Sequence, residues 1–174
     1  MITIILYQPE KPSNLGNIMR TCMATGSKLV VIGPLTYTLD DKSLKRAGMD
    51  YIDELDFEFY DSYDGFLKKY KNKNIYYVTR YSKNLYSDVD FSNVVEDIFL
   101  MFGKESSGIP HDILRENFEK TIRIPMVIDA RSLNLSNCVA LVTYEVLRKR
   151  KFFGLATHET IKGEDFLFEE VKND

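Results

Sequence analysis

The chain has 174 residues, 44% of them hydrophobic and 28% charged, and 23 basic against 26 acidic side chains give a formal net charge of −3. That balance excludes a disordered or collagen-like chain and carries no overall nucleic-acid signature, so a polyanionic partner must be met by a local basic patch. The length fits one domain that buries its core without a disulfide or metal staple. No apolar run approaches the roughly 18 residues of a membrane-spanning helix. The opening segment Met1–Tyr7 lacks the basic flank and cleavage site of a signal peptide. Cys22 and Cys138 lie far apart among apolar residues, as core thiols do in a reducing cytoplasm. No Cys/His cluster suits zinc, and His111 and His158 have no evident catalytic partner in the sequence.

Apolar runs rich in Ile, Val, Tyr and Phe predict strands at Ile2–Tyr7, Lys28–Ile32, Ile75–Thr79, Ile98–Phe102 and Thr121–Ile124. Helical patterns fall at Gly16–Thr25, Asp41–Ala47, Ser62–Tyr70, Asp112–Phe118 and Leu135–Lys149, with Gly26 and Gly48 placed as left-handed caps of the first two. The alternation predicts an α/β fold with a mainly parallel sheet flanked by helices. After Phe152 the pattern breaks, and Glu164–Val171 reads as a short helix or strand. In such sheets ligands sit beyond the C-terminal strand ends, so the loops there matter most.

Three of those loops carry more than turn chemistry. Pro9–Cys22 runs from a strand into a helix opening on Asn14, Gly16 and Asn17, with Arg20 on an early turn. Asn14 fits an ordinary N-cap, whereas an arginine near the positive end of the helix dipole fits an anion partner. Phe102–Pro110 holds Gly103 and Gly108, which permit close backbone approach, but it lacks the order of a P-loop. Ile124–Ala140 crowds Ser132, Asn134, Ser136 and Asn137 at the start of a long helix, more polar groups than one cap requires. Leu135, Val139, Val142 and Val146 then form an apolar stripe beside small Ala140. No Ser–His–Asp set can be assembled. Amide side chains, backbone amides and arginines suit binding and orientation.

Asn14, Gly16, Asn17 and Arg20, then Phe102-Gly103-Lys104-Glu105 with Gly108-Ile109-Pro110, then Ile124-Pro125-Met126 with Ser132 to Asn137, resemble in order the three motifs of the SPOUT RNA 2′-O-methyltransferases. Within that superfamily the chain is most similar to the small enzymes that act on the tRNA wobble position. The likeness covers residues 1–155 as a single domain and leaves 156–174 as a tail. It implies a deep trefoil knot in the C-terminal half, an obligate homodimer packed through the first and last long helices, and S-adenosylmethionine as methyl donor without a metal. Cofactor contacts would fall on Val78, Thr79, Gly103, Ile124, Ser132 and Leu133. Residues facing the reaction and the RNA would be Arg20, Asn14, Glu105, Ser132, Asn134 and Ser136.

The implied reaction places a methyl group on the ribose 2′-hydroxyl of a cytidine or uridine at position 34, in the anticodon stem-loop of a cytoplasmic tRNA. Its barrier lies in aligning two reactants and removing a proton from a weakly acidic alcohol. Guanidinium groups hold their proton across the accessible pH range, so an electrostatic role for Arg20 on the developing alkoxide is favoured over a literal base. Lys11, Arg20, Lys42, Lys45, Arg46, Arg131 and the run Arg148–Lys151 are the candidate phosphate contacts. Each contact on a single strand adds roughly 0.7 to the slope of log affinity against log salt. Tyr7 and Tyr81 are candidates for base stacking. Action on another RNA such as rRNA is the alternative within the family, disfavoured because the sequence opens directly in its first strand. A non-catalytic RNA-binding dimer is the alternative outside catalysis.

Overall fold

A computed structural model describes residues 1–38 and 54–168. The predicted helix Asp41–Ala47, its cap Gly48 and the cations Lys42, Lys45 and Arg46 lie outside the described residues. The elements are β1 (Ile2–Tyr7), α1 (Pro12–Thr25), β2 (Lys28–Ile32), β3 (Phe57–Tyr60), α2 (Tyr63–Tyr70), β4 (Ile75–Val78), β5 (Ile98–Phe102), α3 (His111–Glu116), β6 (Thr121–Ile122) and α4 (Leu135–Lys149). Short 3-10 turns occupy Phe118–Lys120 and Phe166–Phe168. The six strands form one sheet in the order β3-β2-β1-β5-β4-β6, and every pairing is parallel. No helix among the described residues is long and apolar enough to cross a membrane.

The strand period of two divides the core between the sheet's faces. Ile4, Leu6, Leu29, Val31, Leu100 and Phe102 pack with α1 and α4, through Leu15, Ile18, Met19 and Cys22 on one helix and Val139, Val142 and Val146 on the other. The stripe read from α4 is therefore its buried face. Ile5, Val30, Ile32, Phe99 and Met101 point the other way, onto Phe66 and Tyr70 of α2 and Leu114 of α3. Shortening one of the larger aliphatic side chains here costs about 2–5 kcal/mol.

Several expectations shift at their edges. The first helix begins at Pro12, with Lys11 as an N-cap that makes no side-chain bond, so Asn14 does not cap it. Arg20 is consequently the ninth helical residue, far from the positive dipole end. Ser62 caps α2, accepting from Gly65 N at 3.2 Å. The predicted Asp112–Phe118 helix is α3, which starts at His111 and ends at Glu116. β4 stops at Val78 and β6 at Ile122, one and two residues short of the predicted strands, which frees Thr79 and Ile124 for loops. Among the described residues of the tail, Phe166–Phe168 forms a turn of helix, and the end of the predicted Glu164–Val171 element lies outside them.

β3 is the strand the pattern did not reveal. Its centre is Glu58, a residue that sheet interiors reject, but β3 is an edge strand whose pairing is with β2. Glu58 accepts from Tyr60 Oη at 2.5 Å and pairs with Lys28 Nζ at 2.8 Å and Lys69 Nζ at 2.5 Å. Burial opposes its ionisation, yet these donors outweigh it and hold the carboxyl at about 2.

Candidate active site

All three marked loops gather at the C-terminal ends of β5, β4 and β6, around a cavity of about 580 Å³. That volume suits a single cofactor-sized ligand. Val78, Thr79, Gly103, Ile124, Ser132 and Leu133 all line it, as do Asn14, Glu105 and Asn134.

The second loop explains its glycines. A Cβ on Gly103 would lie 2.1 Å from Gly108 C and Ile109 N, so the backbone closes on itself there, and Gly108 takes φ +73°. Lys104 and Gly108 exchange backbone hydrogen bonds of 3.2 and 3.0 Å. The close approach thus joins the two halves of the loop, which then projects Glu105 and Ser106 toward the first loop.

Glu105 accepts from Glu10 N at 2.7 Å and Lys11 N at 3.1 Å, and from Asn14 Nδ2 at 2.8 Å. It therefore satisfies backbone donors at the start of α1 that the uncapped N-terminus leaves unpaired. Glu10 reciprocates, taking Ser106 N at 2.9 Å and Ser106 Oγ at 2.8 Å. Those two bonds hold its carboxyl below the usual range. At the third loop Asn134 caps α4, its Oδ1 accepting from Ser136 N at 2.9 Å, Ser136 Oγ at 2.6 Å and Asn137 N at 3.3 Å. Because Oδ1 faces those donors, Nδ2 faces away and donates to Asn14 Oδ1 at 2.9 Å. One hydrogen-bond chain, Ser136–Asn134–Asn14–Glu105, therefore runs through all three loops. Asn14 is 4% exposed and sits at its middle.

Ser136 enters through that chain and does not line the cavity. Arg20 does not line it either: it is exposed, six residues past Asn14 on α1, about 9 Å along the helix axis. Among the candidate cations, Lys11 and Arg131 border the cavity, joined by Arg80 and Lys104, which the sequence reading passed over. Arg80 Nη1 donates to the Arg131 carbonyl at 3.0 Å, and its guanidinium lies 5.8 Å from the Tyr81 ring centre. The signal for it was a basic–aromatic pair directly after a strand. Tyr81 lines the cavity against His111, ring centres 5.3 Å apart, whereas Tyr7 packs on Tyr63 away from it.

The basic run at the end of α4 has structural work. Arg148 makes two 2.8 Å bonds to Glu145. Lys149 holds the carbonyls of Ser87 and Val89, and Arg150, 7% exposed, holds those of Phe91 and Glu96 at 3.1 and 2.7 Å. Both cysteines are free, and burial pushes both thiols up, Cys22 to about 12. Cys138 borders the cavity, where burial disfavours its thiolate. Among the described residues no group of His, Cys, Asp and Glu is placed to hold a metal.

Comparison with known proteins places this geometry. Residues 1–144 match the model of the SpoU rRNA Methylase family. A Geobacillus stearothermophilus protein provisionally named tRNA (cytidine(34)-2′-O)-methyltransferase is 45% identical over 153 residues, 88% of this chain and 98% of its own. A Saccharophagus degradans protein bearing that name outright is 37% identical over 155 residues, 88% of this chain and 99% of its own. A solved structure described as giving insight into 2-OH methylation of C/U34 on tRNA superimposes with a TM-score of 0.79 at 36% identity, covering 87% of this chain and 97% of that one. The chain belongs to the SpoU methylase family and is a methyltransferase.

Proposed function

We propose that this protein transfers the methyl group of S-adenosylmethionine to the ribose 2′-hydroxyl of the pyrimidine nucleotide at position 34 of tRNA. It does so as a cytoplasmic homodimer acting on the anticodon stem-loop. The observation that carries this reading is the single hydrogen-bond chain through all three motif loops, at a cavity lined by all six cofactor candidates. The names of the relatives supply the substrate. The AdoMet complex of the Streptomyces viridochromogenes SpoU methyltransferase AviRb, at a TM-score of 0.71 and 25% identity over 86% of this chain and 60% of that one, supports the cofactor.

The cavity fits the methyl donor. Its wall at Gly103 is bare backbone, and Val78, Ile124 and Leu133 offer apolar contact to an adenine ring. Bound there, S-adenosylmethionine supplies an electrophilic sulfonium methyl, so in-line attack by an alcohol suffices. The chain's own residues align and polarise that alcohol. Asn14 is locked by Glu105 and Asn134 yet keeps one amide hydrogen and one carbonyl lone pair for the ribose. Glu105 acts by orienting Asn14 and the start of α1, since three donors already occupy it. Arg20 stabilises the alkoxide as its proton leaves for water.

Because Arg20 lies outside its own cavity, this role assigns it to the site of a second copy. Leu141 and Tyr144, each 45% exposed on α4, supply apolar surface for a two-fold contact through α1 and α4. The same reading threads the chain between β6 and α4 as a deep trefoil knot, supported by family membership and by the return of Asn134 to Asn14 across 120 residues. It takes residues 1–155 as the catalytic domain and 156–174 as an appended tail.

The test uses methyl-labelled S-adenosylmethionine and total RNA from a strain lacking wobble-ribose methylation, with the label mapped by nuclease digestion and mass spectrometry. The expected result is label on the position-34 ribose, lost by more than 100-fold in Arg20→Ala while cofactor affinity is kept. Label confined to rRNA, or cofactor binding without any label, overturns the substrate. Failure to bind cofactor overturns the reaction.

A further inference from the structure

A second, open cleft of about 520 Å³ lies on the same edge of the sheet, lined by Pro34, Leu35, Tyr37, Phe59 and Asp61. It crowns β2 and β3, while the cavity crowns β5, β4 and β6, and β1 runs between them. All strands are parallel, so both openings face the same way, with β2 and β5 about 10 Å apart.

The cleft has the chemistry of a base-binding site. Phe59 is 41% exposed, and the tip of its ring lies over Gly33, where a Cβ would meet Phe59 Cζ at 3.0 Å. A partly exposed aromatic ring offers a flat apolar face on which a planar base stacks. Pro34 and Leu35 make the rest of the wall apolar, and Asp61 adds a carboxylate at the rim. Tyr37 closes one side of the cleft. Its hydroxyl is shielded from solvent without a hydrogen-bond partner among the described residues, and burial pushes its pKa up.

We propose that this cleft receives the base of the nucleotide whose ribose is methylated, with Phe59 as its stacking surface and Asp61 as the group that favours cytosine over uracil. A carboxylate accepts from the N4 amine of cytosine and repels the O4 carbonyl that uracil presents at that position. The inference rests on the reaction proposed above.

The test measures kcat/KM of the full-length protein on two native tRNAs, one with cytidine and one with uridine at position 34, alongside calorimetric binding of S-adenosylmethionine. Phe59→Ala should lower kcat/KM about tenfold or more on both tRNAs with cofactor affinity unchanged, and Phe59→Tyr should restore it. Asp61→Asn, on a loop where folding is not at stake, should reduce the cytidine-to-uridine ratio about tenfold. An unchanged ratio in Asp61→Asn together with undiminished turnover in Phe59→Ala overturns the cleft while leaving the reaction standing. A loss of cofactor binding in Phe59→Ala that Phe59→Tyr does not repair marks a structural role and also overturns it. A wild type that methylates neither tRNA overturns the reaction, and the cleft with it.

Discussion

Glu58 and Glu105 are both ringed by donors, yet they do opposite work. Glu58 sits on edge strand β3 and is held by two lysines and two tyrosine hydroxyls, so its charge is neutralised where it stands. Glu105 sits in a loop and is held by two backbone amides and one side-chain amide, none of them charged. The first arrangement lowers a pKa and secures an edge strand. The second leaves a carboxylate in charge of geometry, tying the start of α1 and Asn14 to a loop about 90 residues later in the chain.

Substitutions can separate these two roles. Glu105→Ala strands the backbone donors of Glu10 and Lys11 and releases Asn14, which should cost about 1–3 kcal/mol in thermal unfolding. Methyl transfer in a single-turnover assay should fall by more than about 100-fold, because one misplaced orienting group costs that much. Retention of activity in this variant would show that Glu105 does not position Asn14.

Asn134→Asp divides the cap from the chain. An aspartate still caps α4 but cannot donate to Asn14 Oδ1, so turnover should fall about tenfold or more while the melting temperature holds. Asn134→Ala removes both and should add about 1 kcal/mol of destabilisation. Equal turnover in the Asp and Ala variants is the expected signature of the link to Asn14; restored turnover in the Asp variant would leave only the cap.

Glu58→Gln should have the smallest effect, with turnover unchanged and stability at pH 7 lowered by about 1 kcal/mol or less, as for partly exposed ion pairs. Its pH dependence is distinctive. The folded carboxyl lies at about 2 against an ordinary value of 4.5, so the stabilisation is present above about 4.5 and fades as pH falls toward 2. Urea unfolding between pH 6 and 2.5 should show a shallower acid loss in the variant than in the wild type.

Much of this was legible in the chain itself. The bounds of β1, β2, β5 and α4 follow from unbroken apolar runs and from a helical stripe, both of which report burial directly. Three marked loops were also legible as loops, and the residues assigned to the cofactor do converge on one cavity. The errors have common causes. β3 escaped because an edge strand tolerates a central glutamate once lysines from neighbouring elements meet it. For Arg148, Lys149 and Arg150, candidate RNA contacts that fit a solvated helix terminus better, nothing in the sequence signals the acidic side chain and four loop carbonyls that take them up. Asn14 read as a cap because a local partner is the simplest expectation for an asparagine near a helix start.

The sequence by itself determined the parallel α/β architecture, since alternating strand and helix periods and largely apolar strands admit few other arrangements. It also marked the three loops that converge on one cavity. Only the tertiary structure decided that Asn14 bonds Glu105 and Asn134 instead of its own helix, that Arg20 stands apart from its own cavity, and that a second cleft opens beside the first. The first of those outcomes depends on contacts between residues about 90 to 120 positions apart. Local patterns encode which face of an element is buried, but not which distant side chain will meet it there.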